Sequence, residues 1–447
     1  MEFRRKIYEK LNHWKNTEKG KTALLIEGAR RVGKTFAIET FAKSSYKSYI
    51  KLDFSNISQE VVDIFSGDSY ELDVFFQKLS AFYGVKLYRR ESLIVFDEVQ
   101  LYPPARQLIK HLVADGRYDY IETGYLISLR ENVEGILIPS EEDHLNMYPL
   151  DFEEFLWNLE EEPLAEYIRK CYLARIPLGQ GIHRKAMNLF RQYLLVGGMP
   201  QAMLAYLEEK DFSQSDVVKR RILQLYKSDV GKYAKSNANK VRAIFDDIPA
   251  QLSKHEKKFV LRSLSKDAKF RNYEDAFGWL EEAMIANICV NATDPNIGLT
   301  LNAERTTLKC YLGDTGLLVS QILADNIMTD NDLYKAVMFD RIGLNEGMLM
   351  ENVVAQMLAA NGHKLFFYSR NDRDVAANRM EVDFLIRHEK KIVGIEVKSG
   401  NYNSHSSLDK FKNKFGSKIG QGIIVNTKDL VVKDDLLHIP IYMGMCL

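Results

Sequence analysis

The chain has little that would commit it to an unusual class. Its only cysteines, Cys171, Cys289, Cys310 and Cys446, lie far apart with no C-x-x-C pair, which leaves neither a disulfide framework nor a zinc site to build on. They read as buried thiols. No stretch offers the roughly 18 uninterrupted apolar residues that a membrane helix requires, and the charged start MEFRRKIYEKLNHWKN lacks the apolar core of a secretory signal. The expected location is the cytoplasm, with no membrane partner. Net charge is missing too: 61 Lys+Arg balance 61 Asp+Glu, so the surface is not the basic coat of a non-specific DNA binder, although local basic patches stay open. Among the histidines there is no H-E-x-x-H or comparable metal spacing; G-x-S-x-G, a Rossmann glycine fingerprint, internal repeats and low-complexity linkers are also absent. What is left is an ordinary globular composition, 46% hydrophobic and 27% charged over 447 residues, long enough for about three domains of ~150 residues.

Against that background one short stretch stands out. ALLIEGARRVGKTFAIETFAK, residues 23–43, fits G-x-x-x-x-G-K-[ST] with Gly28, Gly33, Lys34 and Thr35 in the fixed places, a pattern that average composition produces by accident on the order of once in a hundred chains this long. Ala23 to Ile26 suit a buried parallel strand, and FAIETFAK behind the loop has helical spacing. The loop Gly28, Ala29, Arg30, Arg31, Val32, Gly33, Lys34, Thr35 and Phe36 is therefore expected to curl backbone N–H groups around phosphate oxygens, with Lys34 near the outer phosphates and Thr35 on Mg²⁺. The ligands expected are ATP and Mg²⁺.

A second stretch agrees. In ESLIVFDEVQ the apolar run Leu93–Phe96 ends in Asp97 and Glu98, where an open parallel sheet presents its ligands. Asp97 would complete the Mg²⁺ shell and Glu98 would orient and polarise the attacking water. Thr123, in IETGYLISL, sits at a third strand end as a candidate γ-phosphate sensor, and Arg117 and Arg130 are nearby cations.

GARRVGKT, FDEVQ, the TG turn, YPLDFEEFL (148–156), YLLVGGMPQAM (193–203) and YLGDTGLL (311–318) together resemble the prokaryotic AAA-family ATPases that carry a C-terminal domain of uncharacterised function. Those proteins usually read TGS where this chain has Tyr125 after the TG, and a Gly-Arg that commonly precedes the FEEFL-like box is absent here. The resemblance implies an α/β chain: an AAA-type P-loop parallel sheet over 1–156, a helical lid-like region over 157–235, a winged-helix-like region over 236–330, and a C-terminal α/β domain over 335–447. In the winged-helix reading the basic segment 254–271 would meet DNA phosphates, but Glu256, Asp267, Glu274 and Asp275 interleave with its cations, which favours a solvated face.

The last quarter suggests a second chemistry. GMLMENVVAQMLAANG (347–362) is amphipathic, with Glu351 at its flank, and EVDFLI (381–386) and GIEVKS (394–399) read as a hairpin. In a strand Glu396 and Lys398 share a face. A helical Glu followed by D…E-x-K resembles the PD-(D/E)XK nuclease-like, restriction-endonuclease-like domains, which implies Asp383 and Glu396 on Mg²⁺, Glu351 as the helical acid and Lys398 orienting the water. The function so implied is an ATP-hydrolysing protein whose nucleotide state controls a nuclease-like, DNA-interacting module. The alternative is a nucleotide switch that recruits a protein partner and uses the last domain for binding only. Oligomerisation is open to either.

Overall fold

The computed structural model describes residues 2–67, 71–126, 139–324, 331–338, 345–370, 379–400 and 405–447. Arg130 lies outside them. The chain divides into two compact units, residues 5–148 and residues 149–447 together with the first four.

The first unit alternates strand and helix: α1 (Ile7–Glu18), β1 (Ala23–Glu27), α2 (Lys34–Ser45), β2 (Ser48–Asp53), α3 (Gln59–Gly67), α4 (Leu72–Tyr83), β3 (Ser92–Asp97), α5 (Pro103–Asp115), β4 (Asp119–Gly124) and β5 (Glu142–Asn146). All five strands pair in parallel in the order β2-β3-β4-β1-β5. A parallel sheet buried on both faces needs continuous apolar strands, and β1 and β3 supply them as ALLI and SLIVF. Leu25, Ile94 and Phe96 face α3, α4 and α5, while Leu24, Ile26 and Val95 pack on α1 and α2. Pro103 and Pro104 open α5, where a missing N–H costs nothing, and Gly116 at φ 70° closes it. With β4 between them, the ends of β1 and β3 flank Thr123.

The second unit begins with helices: α6 (Phe152–Asn158), α7 (Glu162–Ala174), α8 (Gln180–Val196), α9 (Pro200–Glu209), α10 (Phe212–Tyr233), α11 (Ala238–Leu252) and α12 (Glu274–Glu282). Asp151 and Glu154 form a reciprocal capping box at the start of α6. A hairpin of β6 (Ala286–Ala292) and β7 (Ala303–Leu312) precedes α13 (Thr315–Ile322), α14 (Asn331–Met338) and α15 (Glu346–Ala360). Then come β8 (Phe366–Arg370), β9 (Met380–His388), β10 (Lys391–Val397), α16 (Ser406–Phe415), β11 (Gly422–Asn426), β12 (Val431–Lys433) and β13 (Leu436–Pro440). The strands form one mixed sheet ordered β12-β13-β11-β10-β9-β8-β6-β7. The β6–β7 hairpin therefore shares a sheet with β8–β13, and the division expected near residue 330 is crossed by hydrogen-bonded strands.

Three of the sequence motifs meet in this unit. Gly198 N–H donates to Asp314 Oδ2 at 2.6 Å, Leu150 N–H donates to the Gly198 carbonyl at 2.7 Å, and Tyr193 OH donates to the Leu150 carbonyl at 2.9 Å. Asp314 also caps α13 through Leu317 N–H at 2.9 Å. The backbones approach so closely that a Cβ on Gly198 would collide with the Leu150 carbonyl oxygen, and one on Gly316 with the Gly197 backbone. Overpacking of this kind against backbone is costly. Gly198→Ala should lower stability by about 3 kcal/mol, read as a fall in the urea midpoint of the second unit's unfolding transition.

Candidate functional sites

The phosphate loop spans Gly28 to Thr35 between β1 and α2. Gly28 has no room for a side chain, because a Cβ would run into the Met147 carbonyl oxygen where the chain leaves β5. Arg31 and Gly33 take positive φ, 70° and 97°, which turns successive N–H groups inward. Arg31 and Phe36 are exposed and Arg30 is half-buried, whereas Ala29 and Val32 pack into the core. Sequence reasoning missed Arg5, which holds the loop from behind: buried, it donates to the carbonyls of Val32 at 3.2 Å and Tyr148 at 2.7 Å. Only the basic start of the chain hinted at it.

Lys34 is buried and folded back on the loop, its Nζ donating to the carbonyls of Gly28 at 2.8 Å and Ala29 at 3.2 Å. Burial pushes its ammonium down to about 8, with the nearby Glu98 and Asp97 charges opposing. Asp97 ends β3 at 4% exposure and accepts from Thr35 Oγ1 at 3.1 Å. Burial lifts its carboxyl to about 6, against the Thr35 hydrogen bond and helped by Glu98 and Asp53. Glu98 stands next in line in a left-handed backbone conformation, φ 54°, and accepts from Gln100 Nε2 at 2.6 Å. Thr123 is fully buried and its Oγ1 has no hydrogen-bond partner. Arg117, the other cation considered, is tied to Asp115 at 2.7 Å and Asp73 at 2.6 Å. The Thr35 hydroxyl and Asp97 carboxylate thus face one another as a pair of hard oxygen donors, and that pair suits Mg²⁺.

Behind the same sheet lies a cluster the sequence did not announce. Arg106 forks onto Glu142 at 2.9 and 3.1 Å, and Glu122 is fully buried beside that carboxylate. Burial, and then the Glu142 charge, push the Glu122 carboxyl well up.

A cavity of about 720 Å³ in the second unit collects Glu351, Asp383, Glu396 and Lys398, together with Lys257, Lys258 and Glu381. Glu351 is not on a flank: α15 is buried almost throughout, and Glu351 is 2% exposed. Its Oε2 accepts from Lys257 at 2.5 Å, and its Oε1 accepts from Lys309 at 3.1 Å and from the Tyr311 hydroxyl. Burial alone would raise this carboxyl, but the Lys309 and Lys257 ammoniums hold it at about 2. Asp383 accepts from Val397 N–H at 3.0 Å and from Lys309 at 3.3 Å. Burial and then the Glu351 charge push its carboxyl up, with Lys309 opposing. Glu381 contacts Lys309 at 3.0 Å and Lys258 at 3.3 Å. Glu396 makes an ion contact with Lys398 at 3.0 Å, while its buried oxygens lack a well-oriented hydrogen bond.

Lys309 went unseen in the sequence because it sits inside the run TTLKCYL, where an apolar neighbourhood disguises a charge. The basic segment divides: Arg262, Lys266, Lys269 and Arg271 are exposed, as a solvated face requires, but Lys257 and Lys258 are committed to the cavity. The expected metal does not fit this arrangement. The resemblance puts Mg²⁺ on Asp383 and Glu396, and the Lys309 ammonium already holds Asp383 together with Glu351 and Glu381. Among the described residues no group of acidic, His or Cys side chains is arranged to hold a metal.

Three family profiles match parts of the chain: an AAA domain over residues 20–156, a domain of unknown function (DUF8612) over 187–327, and a domain of unknown function (DUF4143) over 346–443. No curated protein matches. Among solved structures the chain is similar to a Walker-type ATPase of Pyrococcus abyssi, at 15% identity and TM-score 0.42, over 72% of this chain and 96% of that one. It is also similar to the Orc1 protein of Aeropyrum pernix in complex with DNA, at 12% identity and TM-score 0.27, over 73% and 93%. A signal-transduction ATPase with a tetratricopeptide repeat sensor from Pyrococcus horikoshii aligns at 9% identity and TM-score 0.29, over 80% and 46%. Superpositions this loose leave the assignment to the AAA match and the loop residues. Those define a P-loop ATPase domain of AAA type. The two domains of unknown function fall within the second unit, and no helix among the described residues is long and apolar enough to cross a membrane.

The buried Asp97 carries a testable cost. Its folded value of about 6 exceeds the ordinary 3.8, so the folded state binds more protons between those values, and the penalty is complete above pH 6 and absent below about 4. Asp97→Asn keeps an oxygen for Thr35 and removes the buried charge. The variant should be more stable than wild type by roughly 2–3 kcal/mol at pH 7, with the gap closing as pH falls through 6 to 4 in denaturant titrations.

Proposed function

We propose that the chain hydrolyses ATP at the Gly28–Thr35 loop and that the bound nucleotide governs engagement of a partner by the second unit, whose cavity binds rather than cuts. The observation that carries the first half is Lys34 folded on its own loop beside Asp97 and Glu98. A triphosphate offers its ammonium stronger acceptors than two carbonyls, so nucleotide would draw Lys34 off Gly28 and Ala29 and restore its basicity. The loop N–H groups and the N-terminus of α2 would take the phosphate oxygens. Thr35 and Asp97 would hold Mg²⁺, which supplies charge neutralisation between the outer phosphates. Glu98, steadied by Gln100, would orient the attacking water, and Thr123 with its unpartnered hydroxyl would meet the γ-phosphate. Because Lys34 changes partners, the loop has distinct free and bound forms, which is what a switch needs.

For the second unit the alternatives are a nuclease-like DNA-interacting domain, with Asp383 and Glu396 on metal and Lys398 as the water-orienting cation, and a binding module built on that frame. Lys309 within the carboxylates favours the binding module.

Lys34→Ala should weaken binding of a fluorescent ATP analogue about 10- to 100-fold, the worth of a charge-assisted contact. Glu98→Gln should retain affinity and slow turnover by about 10²- to 10⁴-fold. Undiminished binding and hydrolysis in Lys34→Ala would refute hydrolysis at this loop.

A further inference from the structure

We infer that the second unit carries a docking surface for an extended, acidic peptide segment, which adds as a strand to the outer edge of β12 and lays its apolar side chains over the corner between α7 and α8. This surface is separate from the cavity and from the ATP loop and uses no residue of either.

Twelve large apolar side chains stand exposed among the described residues, and five of them, Leu173, Ile176, Ile182, Val431 and Val432, belong to two segments that touch. Asp429 fixes the contact: its carboxylate accepts from Leu178 N–H at 3.0 Å and from Gly179 N–H at 2.9 Å. The His183 ring adds hydrogen bonds to the Thr427 carbonyl at 3.2 Å and the Tyr442 hydroxyl at 2.8 Å. Arg175 closes α7 in the left-handed conformation, φ 55°, so the corner is a fixed surface rather than a loose loop. Leu173, at 79% exposure, has almost nothing of its own chain to lie on. Apolar side chains scattered singly over a surface need no explanation, whereas a gathered set rimmed by charge marks a place of contact.

Two further features decide what fits there. β12 ends the sheet: Val431, Val432 and Lys433 pair with His438, Leu437 and Leu436 on one side, and no strand among the described residues takes the other. Edge strands are commonly shielded by charge, yet within β12 only Lys433 does so and both valines lie open. The backbone groups of that edge call for the backbone of another strand. A partner helix has none to spare, since its own turns consume them, and lipid offers no hydrogen bonds at all. Charge is the second feature. Arg175, Arg184, Lys428 and Lys433 are exposed beside the two segments, whereas Asp429 is spent on the Leu178 and Gly179 N–H groups and Asp435 on Lys412. Asp434, 3.8 Å from Lys433, offsets only part of this. A second copy of the chain would bring the same cations face to face, which costs affinity, while an acidic strand meets them with opposite charge. The edge is short, so the apolar corner supplies the rest of the contact.

The test is fluorescence anisotropy on the full chain with labelled synthetic peptides of about ten residues that alternate Glu with Val. The alternating acidic peptide should bind saturably at roughly micromolar concentration. A block peptide of the same composition and an alternating Lys-Val peptide should bind about tenfold more weakly or worse, and added salt should weaken the acidic peptide. Leu173→Ser with Ile176→Ser should cost about tenfold in affinity. Arg184→Glu with Lys433→Glu should exchange the preference, losing the acidic peptide and gaining the basic one. All four positions are exposed, so these chains should unfold at the wild-type urea midpoint; should the charge reversal not fold, Arg184→Gln with Lys433→Gln replaces it and should weaken the acidic peptide alone. No saturable binding, or binding indifferent to both pairs of substitutions, would overturn the inference. So would a sedimenting dimer that the charge reversal disperses, or uptake onto phosphatidylserine vesicles that it abolishes without any peptide preference, since each gives the surface to another occupant. ATP hydrolysis and binding at the cavity are read in separate assays and stand or fall on those.

Discussion

A buried ammonium must be answered by opposite charge, and in the second unit that demand at Lys309 draws three elements to one point. Glu351 on α15, Asp383 and Glu381 on β9, and β7 itself are bound through a single nitrogen. The carboxylates have the converse need, since neither Glu351 nor Glu396 could stay charged at such depth unaided. Neither set is tenable alone. The β6–β7 hairpin is thereby tied through side chains to β9 and α15, besides the backbone pairing of β6 with β8.

The two units show the same side chain under opposite regimes. Lys34 and Lys309 are both buried lysines, yet one has its basicity lowered to about 8 and the other has it raised well above the usual value. Partners make the difference: Lys34 meets two carbonyl dipoles, and Lys309 meets three carboxylates. A group left under-compensated is ready to bind an anion, and one fully compensated is not. The proposed function rests on that contrast, the first unit leaving the charge wanting and the second cavity meeting it.

The first site was legible because its chemistry is contiguous. Eight successive residues build the phosphate cradle, and strand ends in a parallel sheet predictably carry the acids, so Lys34, Thr35, Asp97 and Glu98 could be named with their surroundings. The cavity was half legible. Glu351, Asp383, Glu396 and Lys398 follow from a helix and a hairpin that periodicity reveals, and they do line one pocket. Their partners do not follow: Lys257 and Lys309 reach Glu351 across 94 and 42 residues, and no local pattern encodes such a pairing. Arg5 behind the phosphate loop was hidden for the same reason. The glycine motifs were recognised singly, but that Gly198 and Asp314 would bond to each other is a fact of tertiary packing.

The place of β6 in the sheet bears on how this protein can be cut. The DUF4143 match begins at residue 346, but β8 is paired on one side with β6, from residues 286–292. A fragment starting at the family boundary would lose that neighbour and present a bare strand edge, the kind of surface that recruits other chains. It would also leave Lys309 behind, stranding the carboxylates that ammonium had neutralised. A boundary recognisable across related sequences is here not a boundary of folding, and expression work on the last module has to begin upstream of the hairpin.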